Sequence, residues 1–153
     1  MAVGSDERTH VTDVVVDHLR SVGIDVELHG PLDGQPMDWV DVGREVGERV
    51  ASGAVQQGVL FCWTGTGVSI AANKVPGVRA ALCFDVETAK GARRWNDANV
   101  LAMSLRSTPE AVAREIVDAW LETGPNEAER ATIAKVETPS PTLPARGREK
   151  AGS

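Results

Sequence analysis

Short apolar, β-branched runs alternate along this chain with stretches whose apolar residues recur at helical spacing. That order is the signature of βαβ units and a parallel sheet. Ala2-Val3, Ile24 to Leu28, Val59-Leu60-Phe61-Cys62, Val78 to Phe84 and Val100 to Met103 read as five strands. The first is short enough to leave open a start upstream of Met1. Between them, Val11, Val14, Val15, His18, Leu19 and Val22 line one helical face, and Trp39, Val42, Val46 and Val50 another. Gly23 closes the first helix, and Gly30 to Pro36 is a loop rich in Gly and Pro. Val68 to Val75 and Val86 to Trp95 supply two further helices. Thr108-Pro109-Glu110 reads as N-cap, first-turn proline and first-turn acid of a helix that buries Val112, Ile116, Val117, Trp120 and Leu121. Glu127 to Val136 gives a last short helix.

The fold expected is therefore a three-layer α/β/α sandwich of Rossmann-like type, with a five-stranded parallel sheet. It occupies residues 1–136, followed by a disordered, Pro-rich tail over 137–153. At 153 residues the chain is one domain in size. Sixteen Lys and Arg stand against 22 Asp and Glu, a net charge of −6, which gives no field to attract nucleic acid or anionic lipid. No apolar run is long enough to span a membrane, and no signal peptide opens the chain, so the expected location is the cytoplasm. Two cysteines, Cys62 and Cys83, are too few for a disulfide framework and lack zinc-site spacing.

The segment Phe61-Cys62-Trp63-Thr64-Gly65-Thr66-Gly67-Val68-Ser69 concentrates the chemistry. A central strand delivers Cys62 to the carboxyl edge of the sheet, where open α/β folds place their ligands. The glycines let backbone N–H groups face the crevice at a helix start, where unpaired amides and the positive dipole end favour a developing oxyanion. The same field favours the thiolate of Cys62, and a base beside an oxyanion hole is what proton abstraction next to a carbonyl requires. The plainer reading is a steric glycine turn beside a core cysteine. A dinucleotide site is disfavoured, since Gly65-x-Gly67-x-x-Ile70 lacks the third small residue and follows the third strand.

Three blocks carry a resemblance: Cys62-x-Thr64-Gly65-x-Gly67-x-Ser69-Ile70-Ala71-Ala72-Asn73-Lys74, Gly77-Val78-Arg79-Ala80-Ala81, and Asn96-Asp97-Ala98-Asn99-Val100-Leu101. They resemble the type B ribose-5-phosphate isomerase family, which includes the galactose-6-phosphate isomerase subunits. Gly4-Ser5-Asp6 and Ile116 to Leu121 extend the likeness, so that it runs from Val3 to about Leu121. The resemblance implies aldose–ketose isomerisation through an enediolate, without metal or organic cofactor. It also implies a homodimer or dimer of dimers in which each site borrows residues from its neighbour. Carried across, Cys62 is the base and Thr64 bonds the enediolate. The amides of Gly65 and Gly67 hold its oxygen, with Thr66 and Ser69 in the same binding turn, and Asp6 and Asn96 hold sugar hydroxyls.

Four departures concern the substrate. Glu7 stands where the family has His, Trp95 replaces the ring-opening His, Trp63 replaces Gly, and Asn126-Glu127-Ala128-Glu129-Arg130 replaces an Arg-rich phosphate clasp. Arg106 matches a family basic position, and Arg8 and Arg130 are further candidate donors to phosphate. His10 is a candidate replacement for the ring-opening group, and Trp63 and Trp95 for narrowing the pocket. The expected substrate is a small sugar or sugar phosphate other than ribose 5-phosphate. Two other readings are proton transfer on an unphosphorylated metabolite and a non-catalytic subunit of a hetero-oligomeric isomerase.

Overall fold

The computed structural model describes residues 1–138. Five strands run parallel in one sheet: β1 (Ala2–Ser5), β2 (Glu27–His29), β3 (Gly58–Cys62), β4 (Ala80–Leu82) and β5 (Val100–Ser104), in the spatial order β2-β1-β3-β5-β4. Register aligns Ser5 with Phe61 and Cys62 with Ser104, so these strands end together at one carboxyl edge. The chain first steps outward from β1 to β2 and then crosses to the opposite side for β3. Strand order thus reverses between β1 and β3, the place where open α/β sheets leave a crevice.

Helices α1 (His10–Ser21), α4 (Val86–Asn96) and α5 (Glu110–Glu122) cover one face, and α2 (Trp39–Ala51) and α3 (Thr66–Asn73) the other. The period of two along β3 explains the division. Val59 and Phe61 pack under the first group, Leu60 and Cys62 under the second. Fully buried Phe61, Ile116 and Trp120 anchor one core, and Val42, Val46 and Leu60 the other. Each such side chain contributes roughly 1.5–3 kcal/mol of burial. A short α6 (Arg130–Ala134) lies between 3₁₀ turns over Glu127–Glu129 and Lys135–Glu137. The tail expected over 137–153 lies outside the described residues from 139 onward, while Glu137 pairs with Arg79 at 2.8 Å.

Several boundaries shift for local reasons. The second strand starts at Glu27, not Ile24, because α1 ends in a Schellman motif. Gly23 takes φ +85°, its N–H donates to the Arg20 carbonyl, and the Ile24 N–H donates to that of Leu19. Strand β4 is three residues long because it lies at the sheet edge, where pairing comes from β5 alone. On its open side the Asn73 amide donates to the Ala80 carbonyl (2.9 Å) and accepts the Ala80 N–H (2.7 Å). The N-cap of α5 is Pro109, not Thr108. With ψ at 151° Pro109 is still extended, its carbonyl accepts the Ala113 N–H, and Thr108 is buried.

Candidate active site

Cys62 closes β3 with its thiol on the α2–α3 side, packed among apolar neighbours and 5% exposed. One position beyond the register pair Ser5–Phe61, Asp6 stands opposite it across the β1–β3 crevice. The turn that follows is held from β5. The Leu105 N–H donates to the Cys62 carbonyl (2.9 Å), and the Arg106 N–H to that of Trp63 (2.9 Å). The Ser104 hydroxyl donates to the Trp63 carbonyl as well (2.9 Å). Three bonds therefore fix the backbone at and just after the base candidate.

Gly65 is the N-cap of α3 at φ +79°. A Cβ there would stand 2.9 Å from the Met103 carbonyl carbon and 2.6 Å from Leu82 Cδ1, so both conformation and space demand glycine. Beyond it the N–H groups of Thr66, Gly67 and Val68 open the helix without intrahelical partners, while that of Ser69 reaches the Gly65 carbonyl at 3.4 Å. The helix end adds about half a positive charge. Thr64 and Thr66 are exposed and share a hydroxyl–hydroxyl bond of 2.7 Å. A hydroxyl pair, three amides and a thiol thus follow one another along seven residues.

The acidic side of the site is built by β1 and the start of α2. Burial raises the Asp6 carboxyl above its ordinary range, and neighbouring Glu7 and Asp38 add to the rise, against a bond from its own backbone. Asp38 caps α2, accepting the Asp41 N–H at 2.8 Å. A cavity of about 460 Å³ opens beside Asp6, lined by Pro31, Gly34, Pro36 and Met37. Asp38 and Trp39 escaped the sequence reading. Trp39 sits in register with a core stripe, yet it is 42% exposed, and the glycine it covers, Gly67, lies 28 positions away along the chain.

The remaining candidates divide by position. Glu7, Arg8 and Arg106 lie at the carboxyl edge and are exposed. Arg8 is tied to Asp13 at 2.9 Å and Arg130 to Glu127 at 2.6 Å, whereas Arg106 has no ion pair among the described residues. His10 pairs with Glu110 at 3.0 Å. Trp63 is turned outward, 59% exposed. Trp95 and Asn96 end α4, whose 11 residues carry them about 16 Å from the carboxyl edge. Arg130 lines a hollow with Asp97 and Asn126, beside that far end of α4. One chain therefore places Cys62, Thr64, the α3 amides, Asp6, Glu7 and Arg106 at the same sheet edge, and Trp95, Asn96 and Arg130 beside the far end of α4.

Trp95 lies flat on its own helix, where a Cβ at Gly91 would meet its ring at 2.8 Å. It lines a groove of about 680 Å³ along the open edge of β4. A second groove of about 640 Å³ shares Asn96 and Ala80 with it. Both are larger than the hollow beside Asp6. Among the described residues no cluster of three metal-ligating side chains occurs. Among the described residues, too, no helix is long and apolar enough to cross a membrane.

Known proteins resemble this chain in sequence and in fold. The ribose/galactose isomerase family model matches residues 1–137. The DNA damage-repair/toleration protein DRT102 of Arabidopsis thaliana is 45% identical over 113 residues, covering 72% of this chain and 35% of that protein's length. A D-erythrulose-4-phosphate isomerase of Pectobacterium atrosepticum is 35% identical over 125 residues, covering 80% and 82% respectively. The solved ribose-5-phosphate isomerase B of Clostridium thermocellum superposes with a TM-score of 0.83 at 36% identity. That match covers 89% of this chain and 93% of the other.

Proposed function

The chain belongs to the ribose/galactose isomerase family, and from that premise we propose that it interconverts an aldose and a ketose phosphate by moving one proton between adjacent carbons. The observation that carries this reading is the juxtaposition at the β1–β3 switch point: a strand-end thiol, three unpartnered helix amides and a carboxyl opposite. The Cys62 thiolate takes the proton from C2 of the open-chain aldose, and the electron pair moves onto O1 as the enediolate forms. The N–H groups of Thr66, Gly67 and Val68 hold that oxygen, where charge develops only as the reaction proceeds. Thr64, bonded to Thr66, carries a proton between O2 and O1. The thiol then returns its proton to C1, giving the ketose. Each proton taken is given back, and no electrons leave the substrate.

Asp6 holds a substrate hydroxyl, and Arg106, without an ion pair among the described residues, meets the phosphate at this edge. Arg8 is already engaged by Asp13. Trp95, Asn96 and Arg130 serve a site only if a second copy presents them, so the working unit is at least a dimer. Neither Glu7 nor Trp95 offers the imidazole that would open a sugar ring, which favours a substrate that is open-chain in solution over ribose 5-phosphate.

The test is incubation in D2O with aldoses and ketoses of three to six carbons, free and phosphorylated, read by mass and NMR. Deuterium is expected at the carbon beside the carbonyl of a short sugar phosphate, and its entry should vanish in Cys62→Ala. Labelling that survives in Cys62→Ala removes the thiol from the mechanism. Absence of labelling with every compound removes the isomerase reading.

A further inference from the structure

We propose that Trp39 is a specificity-determining residue of this site: a wall beside the helix amides that admits only substrates in which the carbon bearing the amide-held oxygen ends the chain, as C1 does in both an aldose and its ketose. The inference rests on the isomerase reading and deepens it. Trp39 is the first residue of α2 and stands at the same sheet edge as Cys62. A Cβ built on Gly67 would lie 2.8, 3.0 and 3.2 Å from Trp39 Cε3, Cδ2 and Cζ3. Three ring atoms at nearly one distance mean that the indole lies face-on across the glycine. Gly67 is the second residue of α3, and its N–H is one of the three that face the developing oxyanion.

The consequence is steric. An oxygen seated on these amides carries its carbon within one bond length, and the indole occupies the adjoining space. A terminal CHO presents only hydrogen there, whereas a ketone with a methyl group beyond the carbonyl presents carbon. Trp39 is 42% exposed, so its ring is not spent on closing the core. Val42, Val46 and Val50 do that for α2. Gly67 and Trp39 form a matched pair, since any side chain at 67 displaces the ring.

Deuterium exchange separates the possibilities. The wild-type protein, Trp39→Ala and Trp39→Leu are each given an aldose phosphate and the 1-deoxy-ketose phosphate that carries one extra carbon beyond the carbonyl. In both, the labelled position is the hydroxyl-bearing carbon next to the carbonyl. The wild type should label the aldose and leave the deoxy-ketose nearly untouched. Trp39→Ala should raise the deoxy-ketose to aldose rate ratio at least tenfold, within the range of roughly 10–200-fold that one methylene commands in a fitted pocket. The aldose KM should rise a few-fold with kcat kept. Trp39→Leu should fall between, and serves if the alanine variant does not fold. A wild type that labels both equally, or variants in which both rates fall with the ratio unchanged, overturns the wall. A wild type that labels no aldose at all instead overturns the isomerase reading on which it rests.

Discussion

Two regions of the molecule use polar groups in opposite ways. At the carboxyl edge, the first α3 amides lack intrahelical partners, the exposed Thr64 and Thr66 hydroxyls bond each other, and exposed Arg106 has no ion pair among the described residues. Around the start of β4 and β5, nearly every polar atom has a protein partner. Asn99 accepts the Arg79 N–H (2.7 Å) and donates to the Gly77 carbonyl (2.9 Å). The Arg79 guanidinium reaches the Asp97 carbonyl (2.9 Å) and Glu137. Asn73 engages both backbone groups of Ala80. Yet both regions come from the same stretches of sequence that carry the family likeness. Half of that likeness therefore describes chemistry and half describes bracing, and only geometry separates them.

Four experiments would break or sharpen this contrast. Cys62→Ser should lower isomerisation by about 10²–10⁴, the usual worth of a positioned base, with the thermal midpoint little changed. Activity measured beside calorimetry would decide it, and an active serine variant would move the chemistry elsewhere. Gly65→Ala must hold a left-handed backbone and crowd the Met103 carbonyl, so a loss of about 2–4 kcal/mol is expected in urea titration. That variant should damage both stability and rate, since the turn it distorts carries the amides.

Asn99→Ala should do the reverse of Cys62→Ser. Loss of its two bonds costs about 1–3 kcal/mol, while kcat of the folded protein stays within twofold. A large fall in kcat at full folding would show that the brace takes part in catalysis. The smallest effect concerns acid. The Arg49 guanidinium, which grips both Glu27 oxygens at 2.7 and 2.8 Å, holds that carboxyl down at about 2 from its ordinary 4.5, against the opposing effect of burial. A depressed carboxylate stabilises the fold in full above about pH 4.5 and loses that contribution as pH falls towards 2. Melting curves of Glu27→Gln should therefore flatten across this window relative to wild type.

The fold was legible because its evidence is local and periodic: valines at helical spacing in α2, an unbroken apolar β3, glycine after α1. What went astray were ends decided by single bonds, as where Ile24 still serves the cap of α1, or where Pro109 takes the cap that Thr108 resembles. The site divides in the same manner. Cys62 to Gly67 is contiguous, so strand, turn and helix start can be inferred from one segment. Trp39 acquires its meaning from Gly67, and Asp38 from Asp6, through packing that no spacing rule encodes. Nor does the sequence disclose that Asn96 and Cys62 lie at opposite ends of the sheet, because that depends on which way α4 runs.

One detail of the outer strand reaches beyond the single molecule. Because a carboxamide already occupies the outward donor and acceptor of Ala80, a foreign ribbon arriving at that border finds one rung fewer to zip onto. Asn73 thereby shortens the stretch of unpaired strand that this border offers to another chain.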